Sequence, residues 1–331
     1  MQAVVVREFG QIESLLMEER PDPVPGPDEV LVEIRATAAN FVDLLVISGR
    51  YQFLPEFPFT PGKLPVGVVT QLGAEVTTSR VGDRVLCLAE HGGYAQKVSI
   101  SASQCFRLPD SLSFVDGAAM ALVYDTAWFA LRERARCKQG ETVLVLGATG
   151  GVGLAAAQLA KALGARVLGG ISNPAKAGLA RAAGCDDVVD FGAPDLLNNL
   201  RDQVRRATGG AGADVVLDMV GGDVFDAALR TVAWRGRVVV VGFASGRIPT
   251  IRANYLLVKN IEVSGLQVSD YRKKTPQLMA QCLAEIFSMY EAGKLRPAPA
   301  RTYPLQGFRD ALADLQDRRV HGRIVLVPSS A

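Results

Sequence analysis

The sequence predicts an α/β protein, a doubly wound parallel sheet joined to a second, β-rich unit. Three observations predict it. Thr142–Leu146 is a short run of Val and Leu, long enough for one buried parallel strand, and it passes through glycines into 154–163, rich in strong helix formers. Downstream, 164–171, 187–190, 214–218 and 237–242 read as further strands with helical segments between them, the alternation of a parallel sheet covered on both faces. Upstream, short strands separated by turn signals describe a small barrel or rolled sheet.

From the N-terminus, 1–7 reads as a strand, and Pro21-Asp-Pro-Val-Pro-Gly-Pro-Asp28 as a proline-broken turn. Residues 29–36 alternate polar and apolar, the period of a half-buried strand. Residues 53–65 hold four prolines and are expected to be irregular. Strands follow at 65–70 and 83–88, with a tight turn at Gly82-Asp83, and 92–99 alternates again. An Ala-rich helical stretch, 116–130, leads into the parallel-sheet unit, which continues to about Leu266. Within that unit 174–183 reads as a second helix; beyond it, 276–292 and 307–315 read as helices and 322–327 as a closing strand. If the C-terminal elements complete the N-terminal unit, the domains are 1–122 with 267–331, and 123–266.

Bulk properties remove several functions. The formal net charge is +2, and no Lys and Arg run is interleaved with aromatics, so no nucleic-acid partner is expected. Charges at Arg7, Glu8, Glu13, Glu18, Glu19 and Arg20 exclude a signal peptide over the first twenty positions. No apolar run approaches the roughly 20 residues of a membrane span, so no membrane partner is expected. Cys87, Cys105, Cys137, Cys185 and Cys282 are scattered and odd in number, which suits free thiols in a reducing cytoplasm.

The glycine turn carries the chemistry. Ala148-x-Gly150-x-x-Gly153 has dinucleotide-fingerprint spacing, with Ala in place of the first Gly, and sits between strand and helix as the fingerprint requires. Gly150 would let the backbone approach a pyrophosphate, and Gly153 would let the helix pack close to the strand. Ala148, Thr149, Gly150, Gly151, Val152 and Gly153 are therefore the expected phosphate cradle, with the unpaired N–H groups of the first helical turn facing the anion. Val220, Gly242, Phe243, Ala244, Ser245 and Gly265 follow strand ends, on the face where parallel sheets bind ligands. NAD-specific folds end the second strand in a carboxylate that holds the ribose 2′-hydroxyl. Here that strand ends Gly169-Gly-Ile-Ser172-Asn173, and no carboxylate comes before Asp186.

An ordered set of motifs resembles a known family. Asn40-Phe-Val-Asp43 with Ser48-Gly-Arg-Tyr51, then Val81-Gly-Asp-Arg-Val85, Gly92-Gly-Tyr-Ala95, Ala148-Thr-Gly-Gly-Val-Gly153, Val241-Gly-Phe-Ala-Ser-Gly246 and Gly322-Arg-Ile-Val-Leu326 run nearly end to end. Together they are similar to the zinc-independent quinone oxidoreductase branch of the medium-chain dehydrogenase/reductase superfamily. The resemblance implies a Rossmann unit, a GroES-like β-rich catalytic unit completed by the C-terminus, a homodimer, and hydride transfer from NADPH to a small-molecule electron acceptor. That acceptor is a quinone or, in the same reaction class, an enone, alkenal or enoyl thioester; a low-turnover NADPH-binding protein is the reading of another class. One segment departs from the family pattern: Pro61-Gly-Lys-Leu-Pro-Val-Gly67 has Leu64 where an acidic residue is usual.

The resemblance also implies site roles. It puts Asn40 and Thr126 near the nicotinamide; as local structure they read as a turn residue and a helix-start cap. Tyr51 is either a proton or hydrogen-bond donor to the acceptor oxygen or a wall for a flat substrate. Lys176 matches a family lysine that contacts the 2′-phosphate of NADPH, accompanied by Ser172 and an aromatic residue near Phe191. Arg323 either reaches the cofactor phosphates or is a solvated strand-edge charge. Zinc-dependent relatives place ligands near Asn40, Lys63 and Leu122, none of them a usable ligand here, and His91 and His321 are the only histidines, so no metal is expected.

Overall fold

A computed structural model describes residues 1–329, which form two compact units: Met1–Leu122 with the segment from Pro297 onward, and Val123–Arg296. The second unit is built on six parallel strands in the order Asp187–Asp190, Arg166–Ile171, Thr142–Leu146, Ala213–Asp218, Val232–Val240, Glu262–Gly265. The chain moves outward from Thr142–Leu146 in one direction and returns to its other side through Ala213–Asp218. The strand order therefore reverses between these two, and a doubly wound sheet binds ligands outside the carboxyl ends of its strands at that switch point. Leu144, Leu146, Leu168, Val216, Phe225 and Val238 are all buried in one core cluster, which is why these strands read as apolar runs without alternation.

The first unit carries a seven-stranded sheet. Its path runs Ala300–Pro304, Arg323–Val327, Glu29–Ala39, Val66–Leu72, Arg84–Cys87, Cys105–Arg107, with Lys97–Ser101 paired to Glu29–Ala39, and a two-stranded ribbon of Gln2–Val5 and Leu16–Glu19 completes it. The last strand of the chain pairs antiparallel with Glu29–Ala39, Ile324 opposite Ala39 and Val325 opposite Ala38. The N-terminal unit is thus closed by the C-terminus, as expected for a GroES-like fold.

Four features differ from the sequence reading. Residues 267–296 pack in the second unit, so the C-terminal boundary falls at 296/297 and not at 266/267. The reason is specific contacts to helix Val123–Trp128: Arg272 is paired with Asp125 at 2.7 Å with both side chains 2% exposed, and Trp128 Nε1 donates to Glu285 at 2.9 Å. The helical stretch 116–130 is broken. Phe114–Met120 and Val123–Trp128 are separated by Leu122, whose φ of +68° is outside the helical range. Phe114–Arg134 does reach membrane-span length and apolarity, contrary to the expectation above, but 78% of its most apolar 18-residue window is buried inside the protein. Finally, only Lys97–Ser101 of the alternating 92–99 region is strand, because 92–94 bond across to the 60–62 loop instead.

Candidate functional site

At the switch point the glycine turn is shaped by three backbone constraints. Gly147 has φ +78°, accepts from the N–H of Gly150 at 2.9 Å, and stands where the fingerprint needs its first glycine. The tight-turn role therefore belongs to Gly147, one position before the Ala148 assumed from spacing. A Cβ on Gly153 would lie 2.1 Å from the carbonyl oxygen of Gly147, closer than any real Cβ contact, so the helix Gly151–Ala162 can start here only with glycine. Gly150 is the N-cap and no side chain caps this twelve-residue helix, leaving the first-turn N–H groups of Gly151, Val152 and Gly153 directed outward, ready for an anion.

The neighbouring strand ends lock to one another. Asp218, fully buried at the end of Ala213–Asp218, accepts from the N–H groups of Val220 and Gly221 at 2.9 and 3.0 Å. Its carbonyl accepts from Val241 and Gly242, while Ala244 and Ser245 donate to the carbonyls of Met219 and Val220. Burial pushes the Asp218 carboxyl up, against the pull of the Gly221 and Val220 N–H groups. Val220 in turn approaches Gly147, whose added Cβ would be 3.4 Å from the Val220 methyl. Gly242, Ala244 and Ser245 are thus tied by backbone bonds to the 218–220 turn, which the buried Asp218 carboxylate, not singled out from the sequence, holds through Val220 and Gly221, and of this group Val220 comes near the glycine turn. Gly265 ends the edge strand two positions farther out, exposed.

At the far side, Phe191 donates its N–H to the carbonyl of Ile171 at 2.9 Å, so Ser172 and Phe191 leave adjacent strands side by side. Asn173 accepts from the N–H of Ala175 and starts a 3-10 turn, Pro174–Lys176, just after the end of that strand. Lys176 is half-buried, and among the described residues its side chain has no hydrogen-bond or ion-pair partner. The nearest carboxylate by register is Asp190, opposite Ile171, and one of its oxygens accepts from the N–H of Gly192 at 2.7 Å. Thr126, buried, is the fourth residue of Val123–Trp128, so it is not the helix-start cap considered above; the Asp125 carboxylate accepts from its N–H at 2.8 Å.

The first unit holds a second polar cluster. Extending the register of Arg323–Val327 by one residue sets Arg323 opposite Asn40, and the two side chains meet: Arg323 donates to Asn40 Oδ1 at 2.7 Å and to the Ala119 carbonyl at 3.1 Å. Arg323 is only 7% exposed. This corrects one reading of it: a buried guanidinium is not a solvated edge charge, and it fixes the Asn40 amide. Asn40 also begins the helix Phe41–Ile47, whose Asp43 carboxylate accepts from the Asn40 N–H at 2.8 Å and from the Tyr94 hydroxyl at 2.9 Å. The S/T/D/N-x-x-acid spacing of a helix start was legible in 40–43. The Tyr94 contact, 51 residues away, was not.

The loop 60–65 brings the remaining groups in. Gly62, at φ +92°, could not carry a Cβ, which would lie 2.3 Å from the Tyr94 ring. Its neighbour Lys63 reaches Glu90, Nζ to Oε2 2.5 Å and to the Glu90 carbonyl 3.1 Å, and lies 5.5 Å from the Tyr51 ring centroid. Leu64, at the family's acidic position, is fully buried at φ +51°, so the substitution changes the support of the loop while Lys63 faces the polar cluster. Tyr51 is half-buried and makes an edge contact with Phe53.

Asp43 has a measurable consequence. Burial pushes its carboxyl up to about 6, with the Asn40 N–H, the Lys63 charge, the Tyr94 hydroxyl and the Arg323 charge pulling the other way. A raised carboxyl pKa means that the folded state binds the proton more tightly than the unfolded chain. The stabilisation is full below about pH 4 and is lost as pH rises through about 6, by about 3 kcal/mol in all. In urea unfolding, Asp43→Asn should therefore gain on the wild type by that order between about pH 4 and pH 7, then run parallel to it. A stability difference flat across the window would remove Asp43 as the titrating group.

A catalytic zinc needs about three Cys, His or carboxylate ligands. Asn40, Lys63 and Leu122 supply an amide already bonded to a guanidinium, an ammonium and an aliphatic chain, and among the described residues no three His, Cys, Asp or Glu converge. The donor set does not fit the metal. What remains is a dinucleotide-type cradle on a doubly wound sheet, with a GroES-like unit bearing a polar cluster, the architecture of the medium-chain oxidoreductases.

Comparison with known proteins agrees. Residues 26–110 match the alcohol dehydrogenase GroES-like domain family, and residues 151–285 the zinc-binding dehydrogenase family. A quinone oxidoreductase-like protein 2 homolog of Nematostella vectensis is 36% identical over 98% of this chain and 88% of its own length. The solved quinone oxidoreductase of Pseudomonas syringae matches with a TM-score of 0.90 at 34% identity, covering 99% of both chains. The Escherichia coli quinone oxidoreductase, solved in complex with NADPH, matches with a TM-score of 0.91 at 30% identity, covering 99% of this chain and 100% of that one. The chain belongs to the quinone oxidoreductase branch of the medium-chain dehydrogenase/reductase superfamily, and it is an oxidoreductase.

Proposed function

We propose that the protein is a zinc-independent NADPH:quinone reductase. The observation that carries the cofactor half is the end of the Arg166–Ile171 strand, where Ser172 and an unpartnered Lys176 stand in place of a ribose-binding carboxylate. The uncapped helix start at Gly150–Gly153 suits the pyrophosphate, and Phe191 lies beside Ser172 as a flat apolar neighbour. NADPH, when bound, supplies the hydride; the protein's work is binding, orientation and electrostatics. In the first unit Asn40, held by Arg323, keeps a fixed amide, and Tyr51 offers a flat wall to a planar acceptor.

The quinone assignment rests on the relatives, and the experiment that tests it is NADPH oxidation with a quinone panel, an enone and enoyl thioester panel, and no acceptor. Turnover with quinones is expected. Turnover confined to enones or enoyl thioesters would move the substrate class, and none with either panel would favour a low-turnover NADPH-binding protein.

The protein is further proposed to act in the cytoplasm, in keeping with five free cysteines, and as a homodimer. Glu262–Gly265 is the outer strand of the parallel sheet, and an open strand edge favours pairing. The helix beside it in sequence, Ala253–Lys259, buries no residue, and Leu257, Val258 and Trp234 are 79%, 76% and 68% exposed. A second copy related by a two-fold axis is the occupant that suits this edge. Light scattering at micromolar concentration should give twice the chain mass, and Leu257→Asp with Val258→Asp should return it to one. A wild-type monomer would sink the proposal.

A further inference from the structure

The first unit contains a charge that the reading above leaves unused. Lys63 is 4% exposed, yet carries an ammonium with three donors. One donor goes to the Glu90 carboxylate and one to the Glu90 carbonyl, and among the described residues no acceptor takes the third. The ammonium stands 5.5 Å from the centre of the Tyr51 ring. The groups around it are more open than the lysine stem: Glu90 has 24% of its side chain exposed, Tyr51 is half-buried and His91 is exposed. The position is fixed by the backbone. Leu64 donates its N–H to the Ala89 carbonyl and Gly93 its N–H to the Gly62 carbonyl, clamping the two loops that bear Lys63 and Glu90. Two further groups feel the charge: it lowers the Asp43 carboxyl and helps to lower the His91 imidazole, on which burial acts first. A lysine used only for structure would be expected to have all its buried donors satisfied.

We propose that the Lys63 ammonium binds the carbonyl oxygen of the electron acceptor, which lies flat on Tyr51, and holds the negative charge that develops there. The proposal rests on the reductase reading and names the group that selects carbonyl-bearing acceptors. In the step it serves, the acceptor carbon conjugated to the carbonyl gains the hydride with its electron pair. The π electrons shift so that the carbonyl oxygen carries the pair, giving an enolate anion paired with the ammonium; for a quinone this keto-enolate becomes the quinol when the proton on that ring carbon is passed to the second carbonyl oxygen. Water then protonates that oxygen, and the nicotinamide is left oxidised, so two electrons and two protons reach the acceptor in all. Glu90 is the positioning partner: it aims Nζ and leaves one N–H for the substrate. A preorganised donor of this kind acts where charge develops, in a site poor in water.

Lys63→Met should lower kcat/KM for the best carbonyl acceptor by about a hundredfold, with the Kd for NADPH changed by less than about threefold. Lys63→Arg should recover part of the loss, because the charge and the donors remain. A second measurement needs no turnover: 4-nitrophenol, a phenolate-forming mimic of the product, titrated spectroscopically on the protein. The wild type should bind it as phenolate at lower pH than free solution allows, and Lys63→Met should abolish that shift. If Lys63→Met fails to fold, Lys63→Met with Glu90→Leu removes the carboxylate that faced the ammonium and serves for both assays. A kcat/KM within about threefold of wild type, or identical phenol titration in the two proteins, would overturn the proposal. A wild type that turns over no quinone or enone yet shifts the phenol would instead defeat the reductase reading and leave the Lys63 site standing.

Discussion

Gly153→Ala should raise the Kd for NADPH by at least about a hundredfold, because an error of about 1 Å in a positioned group costs that much. The added Cβ would stand 2.1 Å from the Gly147 carbonyl oxygen and 2.8 Å from both the Ala148 Cα and the Gly147 carbonyl carbon. All three are backbone atoms, so no side chain can rotate away. The helix start must move off the turn, and its N–H groups move with it. The same displacement opens the contact with Thr142–Leu146, at the centre of the sheet, so the melting temperature should fall as well. Gly178→Ala, in the helix Ala177–Ala182 where an added Cβ meets nothing within 4 Å, is the control: it should leave the Kd unchanged and should not lower the melting temperature. Cofactor fluorescence titration and thermal melting read the pair. A Gly153→Ala protein with a Kd within about threefold of wild type would show that the anion is not held at this helix start.

Lys176→Ala should separate the two cofactors. A charge-assisted bond contributes about 1.5–3 kcal/mol, which corresponds to roughly a ten- to hundredfold rise in KM for NADPH. KM for NADH should hardly move, since NADH lacks the 2′-phosphate. The salt dependence of NADPH binding should flatten, because one exposed ionic contact is gone. The absence of any partner for Lys176 makes the test clean: nothing else in the fold is released by removing it. Equal losses with both cofactors would make Lys176 structural, and a wild type that prefers NADH would overturn the cofactor assignment.

Local chemistry determined much of this protein from its sequence. The Val and Leu run into glycines fixed a central parallel strand and the helix after it, because burial on both faces leaves no alternation and a close strand-to-helix turn admits only glycine. The strands that follow repeat the same signal, so the doubly wound sheet was legible, and the strand end without a carboxylate was legible with it. The ordered motifs carried the family. What tertiary structure decided is what depends on register and on loops far apart in the chain. The last strand pairs with Glu29–Ala39, and that register brings Arg323 to hold Asn40, a contact 283 residues apart in the chain. The assignment of 267–296 to the second unit depends on buried partners such as Asp125 and Arg272, separated by 147 positions. Lys63 and Glu90 are 27 residues apart in irregular loops, where no period or cap gives a signal, and only the clamp between those loops brings a buried ammonium against Tyr51. Propensity and period act over a turn or a strand; the polar cluster of the first unit is set by which backbones pair, and that is fixed only when the whole chain has closed.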